Sequence, residues 1–138
     1  MIQPADYEAF QRDPKKVLDF YNDRRRDFKS ANIRPNAAHR ALARLEAEYD
    51  GEVLVVTQNV DDLHERGGTQ NLIHMHGGLN TALCAACDHR WPAPAKMHAG
   101  DACPACGAPA ARPDIVWFGE MPYQMDRIFD VLGRAHIF

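Results

Sequence analysis

The sequence predicts a mixed α/β fold: a parallel sheet with helices, interrupted by a small metal-binding loop. Amphipathic helical segments alternate with short runs of β-branched and aliphatic residues, which is the pattern of a parallel sheet. Four cysteines lie in one stretch rich in Ala, Pro and Gly, as two CxxC pairs. The 138 residues are enough for one domain with a modest core.

Composition narrows the classes of function. Apolar residues make up 46% of the chain and charged residues 25%, and the net charge is −3. A net negative charge does not indicate a protein that binds nucleic acid directly. No apolar stretch is long enough to span a membrane. The first ten residues lack the features of a signal peptide. We therefore expect a cytoplasmic protein in a reducing compartment, with neither nucleic acid nor membrane as a partner. We also expect a monomer.

Two helices are predicted in the first third of the chain. Asp13-Pro14 supplies an N-cap followed by proline at the first helical position. The apolar positions of this first helix are Val17, Leu18, Tyr21 and Phe28. The second helix begins near Pro35 and ends at Asp50-Gly51. Its predicted buried stripe consists of Ala38, Leu42, Leu45 and Tyr49.

Strands are predicted further along the chain. Residues 52–59, EVLVVTQN, fit a strand buried on both faces. After it we predict a short helix at residues 61–66, closed by Gly67-Gly68, and a second strand at residues 71–77. Beyond the cysteine region we predict a third strand at residues 114–120, a helix at residues 123–135 and the start of a fourth strand at residues 136–138. In parallel sheets, ligands bind beyond the carboxyl ends of the strands. The polar residues at those ends have two equally good interpretations. They form one ligand site, or they are ordinary loop residues and helix caps.

The cysteine spacing indicates a structural zinc site. Two CxxC pairs are separated by fifteen residues, Cys84 with Cys87 and Cys103 with Cys106. This spacing lets four thiolates surround one Zn²⁺, and the loop between them needs the metal in order to fold. A site closed by four cysteines has no open position for catalysis. The alternatives are a redox dithiol at residues 103–106, disulfides, and a ligand exchanged for His89 or His98.

Four motifs follow one another along the chain: TQNVDDLHERGG, IHMHG, the two CxxC pairs and RPDIVWFGE. This ordered set resembles the sirtuins, which are NAD-dependent protein-lysine deacylases, and the likeness extends back to FYNDRRR. The resemblance implies a partial Rossmann-like sheet with helices and a zinc-ribbon insertion. Residues 1–79 would hold a helical segment and the first part of the NAD-binding core, residues 80–111 the ribbon, and residues 112–138 the return to a truncated core.

The same resemblance assigns roles in catalysis and NAD binding. His76 matches the catalytic histidine, which acts as general base on a ribose hydroxyl and leads to nicotinamide, O-acyl-ADP-ribose and free lysine. Imidazole suits this role because its pKa lies near neutrality. The NAD-contacting positions fall on Gln58, Asn59 and Asp61. We expect His74 and His64 to be structural, and the alternative for His76 is a loop histidine bonded to backbone.

The resemblance also implies a substrate site, formed by residues of the RPDIVWFGE and FYNDRRR motifs. Val116 matches the position whose carbonyl accepts the acyl-lysine N–H, Phe118 would line the acyl tunnel, and Gly119 and Glu120 would belong to the strip where acylated-lysine protein substrates add as an extra strand.

FYNDRRR resembles the Tyr-x-x-Arg motif of class III sirtuins, which favour acidic acyl groups such as succinyl. Tyr21 and Arg24 would form that pair, since positions three apart share a helix face. The alternative is a Tyr of the buried stripe and a surface Arg. Arg25 and Arg26 are expected to be solvated charges. The motif leaves deacetylation and desuccinylation both open.

Two departures from the family weaken the expected activity. The sequence contains neither the Gly-Ala-Gly-x-Ser loop that cradles the NAD diphosphate nor the later Gly-Thr-Ser loop. We therefore expect an internal fragment with weak NAD affinity and little turnover. Two other functions stay open: a non-catalytic zinc-binding module that binds acyl-lysine peptides, and a thiol redox protein.

Overall fold

A computed structural model describes residues 6–138, which fold into helices and strands around two small sheets. In chain order the elements are α1 Tyr7–Arg12, α2 Pro14–Phe28, α3 Ala37–Glu48, β1 Val55–Thr57, α4 Leu63–Gly67, β2 Leu72–His74, β3 Gly77–Cys84, β4 Arg90–Pro92, β5 Ala111–Ile115 and α5 Met125–Gly133. Strands β1 and β2 form a parallel pair, and β4, β3 and β5 form an antiparallel sheet in that order. Across residues 6–138, every helix is too short or too polar to cross a membrane.

Local capping explains where the first helices begin. The Asp13 side chain accepts a hydrogen bond from the backbone N–H of Lys16 at 3.0 Å, and Pro14 opens α2. The side chain of Asn36 accepts from two backbone N–H groups of α3. The short helix α4 ends at Gly68, whose φ of 109° belongs to the left-handed region. The predicted starts of α2 and α3 and the predicted end of α4 are therefore confirmed.

The core lies between the N-terminal helices and the antiparallel sheet. One cluster of buried residues consists of Ala9, Val17, Tyr21, Leu79, Ile115 and Trp117. A second consists of Leu18, Ala82, Met97 and Ala111. Both combine residues of α1 or α2 with residues of β3, β5 or the loops of the cysteine region. Helix α2 is therefore packed on the antiparallel sheet, which the sequence pattern did not predict.

Two predictions of burial are wrong. Val56 of β1 is 39% exposed, so this strand is not buried on both faces. On α3, Leu45 is 49% and Tyr49 46% exposed, Ala38 is exposed and Leu42 half-buried. Both elements have the predicted type, but within residues 6–138 their outer apolar faces are open to solvent.

The predicted third and fourth strands are also corrected. The third strand, β5, ends at Ile115 instead of continuing to residue 120, and it pairs antiparallel with β3. The chain turns back after Trp117. Gly119 has a φ of 86°, and the Glu120 carboxylate accepts a hydrogen bond from the Trp117 N–H. Residues 136–138 form no strand, because they find no neighbouring strand in the described part of the chain. The predicted last helix is confirmed as α5.

Candidate active site and metal centre

The four cysteine sulfur atoms form one compact cluster. All four lie within 4.8 Å of one another. The Sγ atoms of Cys84 and Cys106 are 3.7 Å apart, and those of Cys87 and Cys103 are 3.8 Å apart. A tetrahedral site with Zn–S bonds of about 2.3 Å has S–S edges of about 3.8 Å. Two edges of the sulfur cluster therefore match a tetrahedral zinc site, and the remaining S–S distances stay within 4.8 Å.

The backbone around the cluster also fits thiolate ligands. Ala86 N–H donates to the Cys84 sulfur and Ala105 N–H to the Cys103 sulfur, both at 3.4 Å. Such contacts stabilise the negative charge that the sulfurs carry when they bind metal. The two histidines of the loop are engaged elsewhere: His89 stacks on Trp91, and His98 contacts Asp101. The prediction of a four-cysteine zinc centre is confirmed over both histidine exchange and disulfides.

His76 lies in the turn that joins β2 to β3, and backbone hydrogen bonds hold this turn on three sides. Met75 N–H donates to the Thr57 carbonyl at 3.0 Å, Val116 N–H to the His76 carbonyl at 2.9 Å, and Tyr123 N–H to the Met75 carbonyl at 2.8 Å. A Cβ at Gly77 would lie 1.9 Å from the Asp114 carbonyl oxygen, so only glycine fits there. The position of His76 is therefore fixed by its backbone.

The nearby histidines have different surroundings. The two ring nitrogens of His74 lie 2.9 Å from the Asn59 carbonyl and 2.6 Å from a Glu65 carboxylate oxygen. His64 is buried, and its ring centroid is 4.7 Å from that of His39. Burial lowers the pKa of His64, and the proximity of His39 lowers it further. The half-buried ring of His76, by contrast, has no hydrogen-bond partner within residues 6–138.

The predicted NAD-contacting residues lie at the carboxyl end of β1. Gln58 and Asn59 are exposed, and Asp61 is half-buried with its carboxylate accepting from Leu63 N–H at 3.0 Å. Because Thr57 pairs with His74 across the parallel strands, this end of β1 lies beside the His76 turn. The structure therefore brings these side chains to the same edge as His76.

The strip that follows β5 lies beside the same turn. Val116 is half-buried and bonded through its N–H to His76, whereas Phe118 is 72% exposed. Gly119 is exposed as well. The Glu120 carboxylate accepts two hydrogen bonds from Arg112, at 2.6 and 2.9 Å, and one from the Trp117 N–H.

Arg112 is a structural residue that the sequence reasoning missed. Its guanidinium carbon lies 3.6 Å from the centroid of the Trp117 ring, in the strip that follows β5. Partial burial alone would raise the pKa of Glu120, but the bonds from Arg112 and the Trp117 backbone lower it below its ordinary value. The eight-residue spacing of Arg112 and Glu120 gave no recognisable signal, because side chains eight residues apart do not contact each other within a regular helix or strand.

The Tyr-x-x-Arg motif reaches this strip through Trp117. The buried Tyr21 hydroxyl accepts a hydrogen bond from Trp117 Nε1 at 3.0 Å. Arg24 is exposed, with its guanidinium carbon 5.2 Å from the centroid of the Phe20 ring. Phe20 in turn packs edge-on against the Tyr21 ring. The motif therefore has one buried member, which contacts the strip, and one exposed cation beside it.

The expectation that Arg25 is a solvated charge is wrong. Arg25 is only 1% exposed, and it donates to the Leu79 carbonyl at 2.7 Å and to Asn22 Oδ1 at 3.1 Å. Its position four residues after Tyr21 places it on the core-facing stripe of α2, which was the available signal. Arg26 is exposed, as expected, and pairs with Asp23 at 2.9 Å.

The chain matches a known family model and is similar in sequence to curated proteins. A family model described as "Sir2 family" matches residues 3–138. A protein of Vibrio vulnificus (strain YJ016) named NAD-dependent protein deacylase is 51% identical over 135 residues, which are 97% of this chain and 55% of that protein. A protein of the same name from Vibrio cholerae serotype O1 is 52% identical over 135 residues, with the same shares covered. The chain therefore spans about half the length of these curated relatives.

The chain is also similar to solved structures of Sir2 proteins. The structure of a mutant Sir2 homologue in complex with ADP-ribose has a TM-score of 0.83 and 39% identity, over 97% of this chain and 55% of that chain. A structure described as Sir2 bound to acetylated peptide has a TM-score of 0.74 and 28% identity, over 94% of this chain and 55% of that chain.

Proposed function

This chain belongs to the Sir2 family, and on that premise we propose that it carries the acyl-transfer site of an NAD-dependent protein-lysine deacylase. The observation that supports this most strongly is the position of His76. Its turn lies between the polar end of β1 and the strip after β5, where a nucleotide and an acylated peptide could meet. NAD would supply the electrophilic ribose carbon, and the protein residues would orient the reactants and move a proton.

His76 fits the role of general base. Its ring is half-buried and has no hydrogen-bond partner in the described chain, while the backbone on both sides of it is fixed. A neutral imidazole held in this way can accept the proton of a ribose hydroxyl near pH 7. Gln58 and Asn59 would bind the ribose, and Asp61 the nicotinamide carboxamide, because they lie at the same edge.

The peptide would bind along the strip after β5. An extended peptide can add to this strip as a further strand, with the Val116 carbonyl accepting the acyl-lysine N–H. Phe118 is exposed and would line the acyl tunnel beside Gly119. Glu120 would act through the backbone instead of touching substrate, since its carboxylate is engaged by Arg112 and Trp117. Acylated-lysine proteins are therefore the proposed partners.

Acyl selection would depend on Tyr21 and Arg24. The exposed guanidinium of Arg24 can pair with a carboxylate at the end of a succinyl chain. Tyr21 is fixed through Trp117 and would contact the same group. We therefore propose that the site accepts succinyl-lysine as well as acetyl-lysine, and that Arg24 acts on the former alone.

The test is nicotinamide release by the purified, zinc-loaded chain with NAD and either an acetyl-lysine or a succinyl-lysine peptide. His76→Ala should abolish release for both peptides. Arg24→Ala should reduce release for the succinyl peptide only, and Arg26→Ala, which removes a neighbouring exposed cation from α2, should leave both unchanged. Because this sequence contains no Gly-rich diphosphate loop, we expect weak NAD affinity and slow release.

The alternative outcomes are distinct. A folded chain that binds acylated peptide without releasing nicotinamide, and whose binding is unaffected by His76→Ala, would support the non-catalytic peptide-binding module. Equal loss of succinyl and acetyl turnover in Arg24→Ala would exclude the proposed role of Arg24 in acyl selection.

A further inference from the structure

We propose that Tyr123, together with Asp114 and Arg90, is a positioning unit that holds the His76 turn and connects it to the zinc ribbon. The inference rests on the proposed function of His76 as general base. Arg90 and Tyr123 lie outside the motifs that indicated the family site, and Asp114 belongs to the RPDIVWFGE motif but has no role assigned there. The three residues come from three different segments: β4, β5 and the loop before α5.

The three side chains form a closed set of contacts. Tyr123 Oη donates to Asp114 Oδ1 at 2.5 Å, and Arg90 Nε lies 3.3 Å from Asp114 Oδ2. Arg90 also donates to Tyr123 Oη at 3.1 Å, with its guanidinium carbon 5.1 Å from the centroid of the Tyr123 ring. The Asp114 side chain is only 9% exposed. A carboxylate with so little access to water depends on these two donors.

The backbone of the same residues contacts both neighbours of His76. Tyr123 N–H donates to the Met75 carbonyl at 2.8 Å. On the other side, the Asp114 carbonyl is so close to Gly77 that a Cβ there would lie 1.9 Å from the oxygen. Because the Tyr123 hydroxyl ties Asp114 to Tyr123, one side-chain hydrogen bond fixes the distance between the two segments that hold the His76 turn.

Arg90 connects this unit to the metal centre. It is the first residue of β4, three positions after Cys87, and it lies opposite Leu83 of β3 in the antiparallel ladder. The neighbouring Cys84 N–H donates to the His89 carbonyl at 2.9 Å. The hairpin that presents two zinc ligands therefore also presents the guanidinium that contacts Asp114.

The test compares Tyr123→Phe with wild type by NMR of the histidine rings in the zinc-loaded chain. This change removes the hydroxyl but keeps the ring and the backbone N–H. The ring signals of His76, assigned by their absence in His76→Ala, should shift, while those of the exposed His136 stay in place. Tyr49→Phe, on the exposed face of α3, is the matched control and should move none of them. Zinc content should stay at one per chain in both variants.

Arg90→Ala tests the link to the ribbon. It should shift the same His76 signals, whereas Arg44→Ala, an exposed arginine of α3, should not. His76 signals that coincide with wild type in both Tyr123→Phe and Arg90→Ala, in folded and zinc-loaded protein, would overturn the proposal. Unchanged signals in Arg90→Ala alone would overturn the part that involves the ribbon.

Turnover separates this proposal from the proposed function. In Tyr123→Phe we expect kcat for nicotinamide release to fall about tenfold with little change in KM, because a displaced base acts on the chemical step. If His76→Ala abolishes release but Tyr123→Phe changes neither the spectrum nor kcat, the positioning unit is refuted and the deacylase stands. If the His76 signals move in Tyr123→Phe but no chain releases nicotinamide, the positioning unit stands and the deacylase is refuted.

Discussion

The antiparallel sheet β4–β3–β5 and the parallel pair β1–β2 differ in what covers them. Helices α1 and α2 pack on the antiparallel sheet and bury Leu79, Ala82 and Ile115 to 5% exposure or less. In the parallel pair, Ile73 is fully buried, but Val56 is 39% exposed. The His76 turn lies at the junction, since it joins β2 to β3. The candidate site therefore combines a well-packed half, which includes the metal centre, with a half that is open on one side.

The difference teaches that strand character and strand burial are separate properties. The apolar side chains of β1 and α3 fix the type of element, but they are buried only where a second element packs against them. In the antiparallel half that second element is present, and the zinc ligands hold the strands from the other end. Stability should therefore be concentrated in the antiparallel half, and four experiments can test this.

The largest effect is expected from removal of zinc. Structural zinc binding contributes on the order of 10 kcal/mol to the folding of small zinc domains. Chelation should therefore expose Trp117, which is buried in the first core cluster, and Trp91 of β4, which packs against the second. Tryptophan fluorescence should shift to longer wavelength and Tm should fall, and both should recover when zinc is added. An unchanged Tm in zinc-free protein would show that helix packing alone stabilises this half.

A matched pair of leucines tests the comparison next. Leu18 of α2 is 1% exposed in the core, and Leu45 of α3 is 49% exposed. Leu18→Ala should lower the free energy of unfolding by about 2–5 kcal/mol, and Leu45→Ala by less than about 1 kcal/mol. Urea unfolding of the two variants measures the difference. Equal losses would mean that the outer face of α3 is covered in solution.

The Arg112–Glu120 ion pair is expected to have an intermediate effect. Glu120→Gln leaves the buried Arg112 without its countercharge, and breaking a buried pair typically costs about 3–5 kcal/mol. Because the Glu120 side chain is 34% exposed, we expect about 1–3 kcal/mol in urea unfolding. Glu48→Gln, in an exposed pair with Arg44, is the control and should have no measurable effect. A loss in the control as large as that in Glu120→Gln would refute the role of burial.

Particular residues show what the sequence could predict and what it could not. The N-cap at Asp13, the proline at position 35 and the spacing of the four cysteines are local signals, so the starts of α2 and α3 and the metal centre were predicted correctly. The end of β5 was missed because the apolar run after Asp114 continues into a buried turn at Trp117. Position 25 lies on the core-facing stripe of α2, but the burial of a charged residue there was missed because its acceptor, the Leu79 carbonyl, lies 54 residues away. Contacts that join distant segments leave no periodic pattern.

The smallest effect is expected from the pH dependence of His64, in the parallel half. Burial, and then the neighbouring His39, lower the pKa of His64 below its ordinary value of 6.5. Between that lowered pKa and 6.5, the unfolded chain binds more protons at this residue than the folded chain does. The free energy of unfolding should therefore decrease as the pH falls below about 6.5, until the pH reaches the folded pKa.

Urea unfolding between pH 7.5 and pH 5 on the wild type and on His64→Gln measures this contribution, and the wild type should lose more stability than the variant over that range. His136→Gln, at an exposed position, is the matched control and should follow the wild type. If His64→Gln also follows the wild type, His64 is accessible to solvent and the α3–α4 contact is looser in solution. That result would mean that the region around the parallel pair β1–β2 is accessible to solvent even at His64, the one buried histidine within residues 6–138.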